Sequence, residues 1–81
     1  MIEPGIYRHF KGQFYAVDNV AKHSETDELY VVYRALYGER GLWVRPLEMF
    51  DETIEREGVR MKRFAPASTE EIALLKSQQA S

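Results

Sequence analysis

The sequence predicts a mainly β fold, either a small, strongly bent antiparallel sheet or a partly open SH3-like barrel, followed by a short C-terminal helix. Two observations predict it. Short runs rich in β-branched and aromatic residues recur between turn residues, as in consecutive antiparallel strands. One helix-start signal comes late in the chain, where Ser68 is followed by Glu71 at the spacing of a capping box. An α+β roll is the alternative architecture.

Four strands are predicted in the first half of the chain, separated by turns that contain glycine or polar residues. The interrupted alternation at Asp18 and Asn19 predicts a bulge or a twist in the second strand. Pro46 cannot donate to a sheet ladder, so it ends the fourth strand or places that strand at an edge. The predicted strands are residues 6–10, 14–21, 29–37 and 42–45.

The third predicted strand, residues 29–37, has the densest β-type sequence and should be central in the sheet. Both of its faces are largely apolar, so we expect it to be covered on both sides except near Arg34. In the fourth strand, Leu42 and Val44 are predicted to point inward, because they are aliphatic and share one face. Trp43 would then lie on the opposite face.

The segment after the fourth strand is predicted to close the core and then form a last hairpin. Residues 47–50 predict a short turn or bend, with Met49 and Phe50 directed into the core. Residues 53–64 predict a more exposed hairpin, because a glycine turn separates two short β-type runs. This hairpin would complete the β part of the chain.

The size of the chain allows one core, because a domain of roughly this length buries only about 60% of its unfolded surface. We expect a β-barrel-like domain over residues 1–66 and a C-terminal helix with a frayed tail over residues 67–81. A helix of roughly ten residues is too short to persist alone, so it must dock on the sheet or fray.

Composition narrows the function classes. The chain has no cysteine, which excludes disulfides and thiolate metal ligands. The sequence shows no secretory signal pattern and no window near the roughly 20 apolar residues of a membrane span. We therefore expect a cytoplasmic protein with no membrane partner. The formal net charge of −2 counts against binding nucleic acid through its phosphate backbone.

Four motifs carry a family resemblance: PGIYRHFKG, HSET, VVYRALYG and WVRPLEMF, in that order. The chain resembles the small bacterial domain-of-unknown-function family 1653 from Pro4 to about Phe64, with the C-terminal helix outside the match. The resemblance implies a stand-alone bacterial cytoplasmic domain of mainly β structure, without an established activity. The family's recurrent polar positions match here as His9, Lys11, His23, Ser24, Glu25, Arg45, Tyr7, Tyr33 and Tyr37.

An enzymatic site is one alternative for function. Histidine and glutamate side chains bind zinc or iron. The alternative is a small hydrolase or metal-dependent enzyme that uses His9, His23 and Glu25. No helical H-x-x-x-H spacing supports such a site. Ser24 is a poor candidate nucleophile, because adjacent side chains point apart in an extended segment and no G-x-S-x-G elbow is present. We expect no catalytic residue, metal or cofactor.

A non-enzymatic binding module is the function that the sequence favours. Lys11 and Arg45 would supply positive charge, while Trp43 and a tyrosine would stack on the ligand. His23 and Glu25 would fix its orientation. The ligand would be a nucleotide, a short nucleic-acid strand or an anionic peptide. The predicted groove consists of Tyr7, His9, Lys11, His23, Glu25, Tyr33, Arg34, Trp43 and Arg45.

Two other interpretations stay open. Aromatic residues at alternate positions of a small β protein usually form its core, since a domain of this size needs most of its rings for packing. A protein-interaction domain that uses an edge strand or the C-terminal helix is the other. Whether the polar residues of the predicted groove lie together decides between these interpretations.

Overall fold

The computed structural model describes residues 2–79 and consists of an open five-stranded antiparallel sheet, a separate two-stranded hairpin and two helices. The sheet has the order β4-β3-β2-β1-β7, so β4 and β7 are its edges. The predicted mainly β, open architecture is confirmed. The end of the predicted frayed tail lies outside the described residues. The elements are β1 (Gly5–His9), β2 (Phe14–Lys22), β3 (Leu29–Ala35), β4 (Leu42–Pro46), α1 (Leu47–Phe50), β5 (Thr53–Arg56), β6 (Val59–Lys62), β7 (Phe64–Pro66) and α2 (Thr69–Gln79).

A bulge in β2 keeps apolar side chains on one face of the sheet. The β2–β3 register shifts between Val17 and Asn19, as the interrupted alternation predicted. Asn19 accepts a hydrogen bond from the backbone N–H of Val20 through its side-chain oxygen, at 2.8 Å. The extra residue changes the phase of the strand, so that Val20 lies opposite Val31 and packs against the core. Without the shift, the polar Asn19 would take that position.

The core lies on one face of the sheet, called here the core face, and is closed by α1. Phe50 of α1 is fully buried and stacks on Phe64, with ring centroids 4.1 Å apart and ring planes 3° from parallel. It also meets Tyr7 and Tyr33 edge to face, at 5.6 and 5.4 Å. The core residues are Tyr7, Val17, Val31, Tyr33, Phe50 and Phe64.

Of the two residues predicted to close the core from this segment, Phe50 does so and Met49 does not. Met49 is 48% exposed. The segment forms a helical turn, in which successive side chains point about 100° apart, so neighbours cannot both face the sheet. The prediction that both residues close the core was therefore wrong for Met49.

The side-chain directions predicted for β4 are also wrong. Leu42 and Val44 are 53% and 62% exposed and lie on the outer face of the sheet. Register decides this, because β4 pairs Trp43 with Tyr33, whose side chain is on the core face. The aliphatic character of Leu42 and Val44 had predicted the opposite direction. Pro46 ends β4 at the edge of the sheet, as predicted.

The predicted final hairpin is shorter than expected, because its last part leaves it for the main sheet. β5 and β6 pair with each other, with a turn at Glu57 and Gly58. The backbone of Arg63 donates to Glu52 at 3.0 Å and accepts from Phe10 at 2.9 Å, which joins the hairpin to the β1–β2 loop. Phe64 then pairs with β1 and enters the core.

The start of α2 has the predicted capping box. The backbone N–H of Glu71 donates to Ser68 Oγ at 3.0 Å, and the N–H of Ser68 donates to Glu71 Oε1 at 2.9 Å. Arg8 Nε lies 3.6 Å from Glu71 Oε2 and ties this end of the helix to β1. Within residues 2–79, no helix is long and apolar enough to cross a membrane.

Candidate functional site

Polar and aromatic side chains continue the core face beyond the core, toward the β3–β4 turn. His9 ends β1, Tyr15 is the second residue of β2, and Trp43 and Arg45 belong to β4. The register places them on one face, since Tyr7 pairs with Tyr15, Tyr33 with Trp43, and Val31 with Arg45. With Tyr37, which follows β3, they form the surface called here the aromatic–basic patch: His9, Tyr15, Tyr37, Trp43 and Arg45.

Tyr15 joins the patch to the core. Its ring meets Tyr33, Tyr37 and Phe64 edge to face, with centroids 5.4 to 5.5 Å apart. Its hydroxyl oxygen lies 2.6 Å from that of Tyr37, a hydrogen-bonding distance. Burial, followed by the hydrogen bond to Tyr37, raises the pKa of Tyr15 above its ordinary value. The Tyr15 hydroxyl therefore stays protonated near neutral pH and presents a neutral hydrogen-bonding group next to Tyr37.

Arg45 places a positive charge in the patch. Its Nε donates to the Tyr33 hydroxyl at 3.3 Å, and its guanidinium carbon lies 5.7 Å from the ring centroid of Phe64. Among the described residues, no carboxylate forms an ion pair with Arg45. A phenol and a ring thus orient the guanidinium without neutralising it, which leaves its charge for an external anion.

His9 lies where several cations converge. Its Nδ1 accepts the backbone N–H of Lys11 at 3.2 Å, so the ring proton of the neutral form is on Nε2. Burial lowers the pKa of His9 most, and the charges of Arg63, Arg45 and Lys11 lower it further. The imidazole is therefore neutral at pH 7 and is surrounded by positive potential.

This arrangement predicts a pH dependence of stability. Because the pKa of His9 is below its ordinary value of 6.5 in the folded chain, the unfolded chain binds this proton first as pH falls. The neutral imidazole of His9 therefore contributes fully to stability above pH 6.5. This contribution is lost as the pH falls from 6.5 through the pKa that His9 has in the folded chain. We expect the NMR titration midpoint of the His9 imidazole to lie below 6.5, and urea unfolding of His9→Gln to lose stability less steeply over this range. A midpoint at or above 6.5 would contradict the described surroundings of His9.

Comparison with known proteins identifies the family. The family model for proteins of unknown function, DUF1653, matches residues 5–66. The chain belongs to DUF1653. The chain is also similar to a DUF1653 protein from Bordetella bronchiseptica whose crystal structure is solved, with 38% sequence identity and a TM-score of 0.75. The match covers 83% of this chain and 88% of that one. Comparison with curated proteins gives no match.

The DUF1653 match includes the whole aromatic–basic patch and stops before α2. Of the nine residues predicted for the groove, the structure places His9, Trp43 and Arg45 in the patch. Tyr33 lies beneath it in the core, where its hydroxyl accepts from Arg45. Lys11 lies close enough to lower the pKa of His9.

The other four predicted residues of this DUF1653 chain lie elsewhere. Tyr7 is buried, and its hydroxyl donates to the backbone oxygen of Glu3 at 2.9 Å. Arg34 lies on the outer face and donates through Nη1 to the backbone oxygen of Arg40 at 2.9 Å, within the segment that joins β3 to β4. Both side chains serve the fold here. The remaining two are His23 and Glu25.

His23 and Glu25 belong to the β2–β3 loop, at the opposite end of the sheet from His9. His23 Nδ1 accepts the backbone N–H groups of Glu25 and Thr26 at 3.2 and 3.4 Å, which orders the loop. His9 lies beside the start of β2 and His23 follows its end, so at about 3.3 Å per residue the two are roughly 25–30 Å apart. The three residues considered for a metal or hydrolase site therefore do not share a pocket. Within residues 2–79, no group of three or more His, Cys, Asp or Glu residues could hold a metal ion.

Sequence reasoning missed Tyr15, Tyr37 and Arg63 as members or neighbours of the site. Tyr15 lies near the start of β2 and is the cross-strand partner of Tyr7, so a correct β1–β2 register would have placed it beside His9. The resemblance to DUF1653 implied Tyr37 as one of the family's recurrent polar positions, which was a usable signal. Arg63 reaches His9 only because β7 pairs with β1, and this contact between distant segments leaves no local pattern.

Proposed function

We propose that this DUF1653 protein is a binding module for single-stranded nucleic acid, which lies across the aromatic–basic patch. One observation carries the proposal: Arg45, which forms no ion pair with a described carboxylate, lies in a face that also presents the exposed rings of Tyr37 and Trp43. Positive charge beside exposed rings is the combination that binds a phosphate backbone and stacks its bases. The negative net charge of the chain does not oppose nucleic-acid binding, because the positive charge of Arg45 lies on the patch itself.

Two rings are exposed enough to stack on bases. Tyr37 is 45% exposed and Trp43 is 60% exposed. The indole of Trp43 lies over Gly41, where a Cβ atom would come within 3.3 Å of Nε1. Gly41 thus leaves room for the indole over the start of β4. A ring held in this way loses little further freedom when a base stacks on it.

The shape of the patch favours an extended ligand. His9, at one end of the patch, lines a surface groove of about 190 Å³. Tyr37 and Trp43 are exposed, so the rings available for stacking lie at the open surface. A free nucleotide gains affinity from enclosure, whereas a strand gains it from several successive weak contacts. An anionic peptide would use the same cations, but the exposed rings favour bases.

Titration of the ¹⁵N-labelled protein with the oligonucleotides dT8 and rU8 at low salt tests the proposal. We expect NMR shift changes at the Trp43 indole N–H, the Arg45 Nε–H, Tyr15 and Tyr37, and none at Tyr30 on the outer face. Affinity should fall as salt rises, because phosphate contacts release counterions. Polyglutamate is the matched anion without bases. Equal shifts with polyglutamate, or no shifts with either oligonucleotide, would overturn the proposal.

A further inference from the structure

A second group of cations surrounds Phe10, next to the aromatic–basic patch. Lys11 Nζ lies 5.8 Å from the Phe10 ring centroid, and the guanidinium carbons of Arg56 and Arg63 lie 5.4 and 5.9 Å from it. The three cations come from the β1–β2 loop, the end of β5 and the β6–β7 junction. They are called here the Phe10 cluster: Phe10, Lys11, Arg56 and Arg63.

The Phe10 cluster carries more positive charge than the protein itself neutralises. Arg63 forms an ion pair with Glu52. Among the described residues, neither Lys11 nor Arg56 forms one. Cations held around one ring repel each other, and the attraction of the ring offsets this only in part. An anion bound between Lys11 and Arg56 would relieve the repulsion.

The cluster is held by the backbone and does not depend on flexible side chains alone. The N–H of Phe10 donates to the backbone oxygen of Arg63 at 2.9 Å, which fixes the hairpin against the β1–β2 loop. Phe10 is half-buried, so its ring is a fixed base on which the cations rest. Two short segments far apart in sequence thus bring Lys11 and Arg56 to the same ring.

We infer that the Phe10 cluster is a phosphate-binding site, separate from the aromatic–basic patch, that takes the oxyanion of a phosphate monoester or diester. Lys11 and Arg56 would hold the phosphate oxygens, and Arg63 would remain paired with Glu52. The Phe10 and His9 ring centroids are 4.5 Å apart, so the site adjoins the patch. A strand that leaves the patch at His9 would meet the cluster next.

If the phosphate belongs to a nucleic-acid strand, which rests on the proposed function, the structure gives the length of strand needed to reach the cluster. From Trp43 on β4 to His9 on β1, the path crosses three inter-strand spacings of about 4.8 Å, or about 14 Å in total. At about 3.4 Å per stacked nucleotide, the patch holds about four nucleotides. The Phe10 cluster would bind the phosphate beyond them. A strand of three nucleotides should therefore occupy the patch alone, and one of eight should reach both.

The test compares wild type with the double variant Lys11→Gln/Arg56→Gln. The control is Lys22→Gln/Lys76→Gln, which removes the same charge at exposed positions at the end of β2 and on α2. Binding of dT3 and dT8 is measured by fluorescence anisotropy over a salt series, and inorganic phosphate is titrated by NMR. NMR spectra also confirm that each variant is folded.

We expect the Kd of dT8 to rise about tenfold in Lys11→Gln/Arg56→Gln, while dT3 binding changes less than about twofold relative to the control. The magnitude of the slope of log K against log salt should fall by about 0.7, which is the value for one phosphate of a single strand that is no longer neutralised. Phosphate shifts at Phe10 that vanish in this variant support the site even where no oligonucleotide binds. That result would show that the Phe10 cluster binds phosphate even though the proposed nucleic-acid function fails, and that its ligand is free phosphate.

Two outcomes overturn the inference. In the first, wild type binds dT8 and the double variant binds it as tightly as the control does. The Phe10 cluster is then not a phosphate site, while binding at the patch still stands. In the second, neither dT8 nor inorganic phosphate perturbs the Phe10 region, which removes the site altogether.

Discussion

Replacing Phe50 by alanine should lower the free energy of unfolding by about 3–5 kcal/mol, as for other large aromatic residues removed from cores. Phe50 is fully buried and contacts Phe64, Tyr7 and Tyr33. Phe50 is the buried residue of α1, so its removal takes away the side chain by which this helix packs on the core. A domain of this size has roughly 4–12 kcal/mol of stability in total. The variant should therefore be near the limit of folding.

Urea unfolding followed by circular dichroism measures this effect, and Met49→Ala is its matched control. Met49 precedes Phe50 in the same helical turn but is exposed, so its truncation should change stability by no more than about 0.5 kcal/mol. If Phe50→Ala and Met49→Ala lose similar amounts, Phe50 does not close the core as described.

Replacing Trp43 by alanine should weaken ligand binding without lowering stability. Trp43→Ala should weaken binding of dT8 by about 1–3 kcal/mol, which is the value of one base stacked on one aromatic ring. This is roughly a 5-fold to 150-fold rise in Kd. The same change should leave the unfolding free energy nearly unaltered, because Trp43 is more than half exposed.

Leu42→Ala is the control for Trp43→Ala. Leu42 belongs to the same edge strand and is similarly exposed, but it lies on the outer face. Its truncation should leave dT8 binding unchanged. Equal losses in the two variants would mean that the ligand contacts the edge of β4 or its outer face, and that the core face is not the binding surface.

The sequence alone predicted features that depend on neighbouring residues. The bulge in β2 follows from polar residues interrupting an apolar alternation, and the capping box of α2 follows from side chains that bond to backbone groups within one turn. The family was also predictable from four short motifs, and DUF1653 membership confirms it. Each of these features has its physical cause within a few residues of chain.

The candidate site was only half predictable, because its members come from strands whose pairing the sequence leaves open. Polar and aromatic residue types put His9, Trp43 and Arg45 in the predicted groove, and the structure places these three on the core face. The same reasoning added His23 and Glu25, since composition cannot tell which end of a strand a loop occupies. Only the antiparallel β1–β2 pairing puts His23 at the far end of the sheet from His9.

The tertiary structure alone decided the direction of side chains and the contacts between distant segments. A shift of one residue in register turns every side chain of a strand to the other face, so residue type could not show that Trp43 lies on the core face and Leu42 on the outer face. The pairing of β7 with β1 brings Arg63 to His9 and Phe10 from more than fifty residues away. Local sequence determined the strands, the bulge and the helix cap, whereas long-range register determined the surface on which the positive charge and the exposed rings meet.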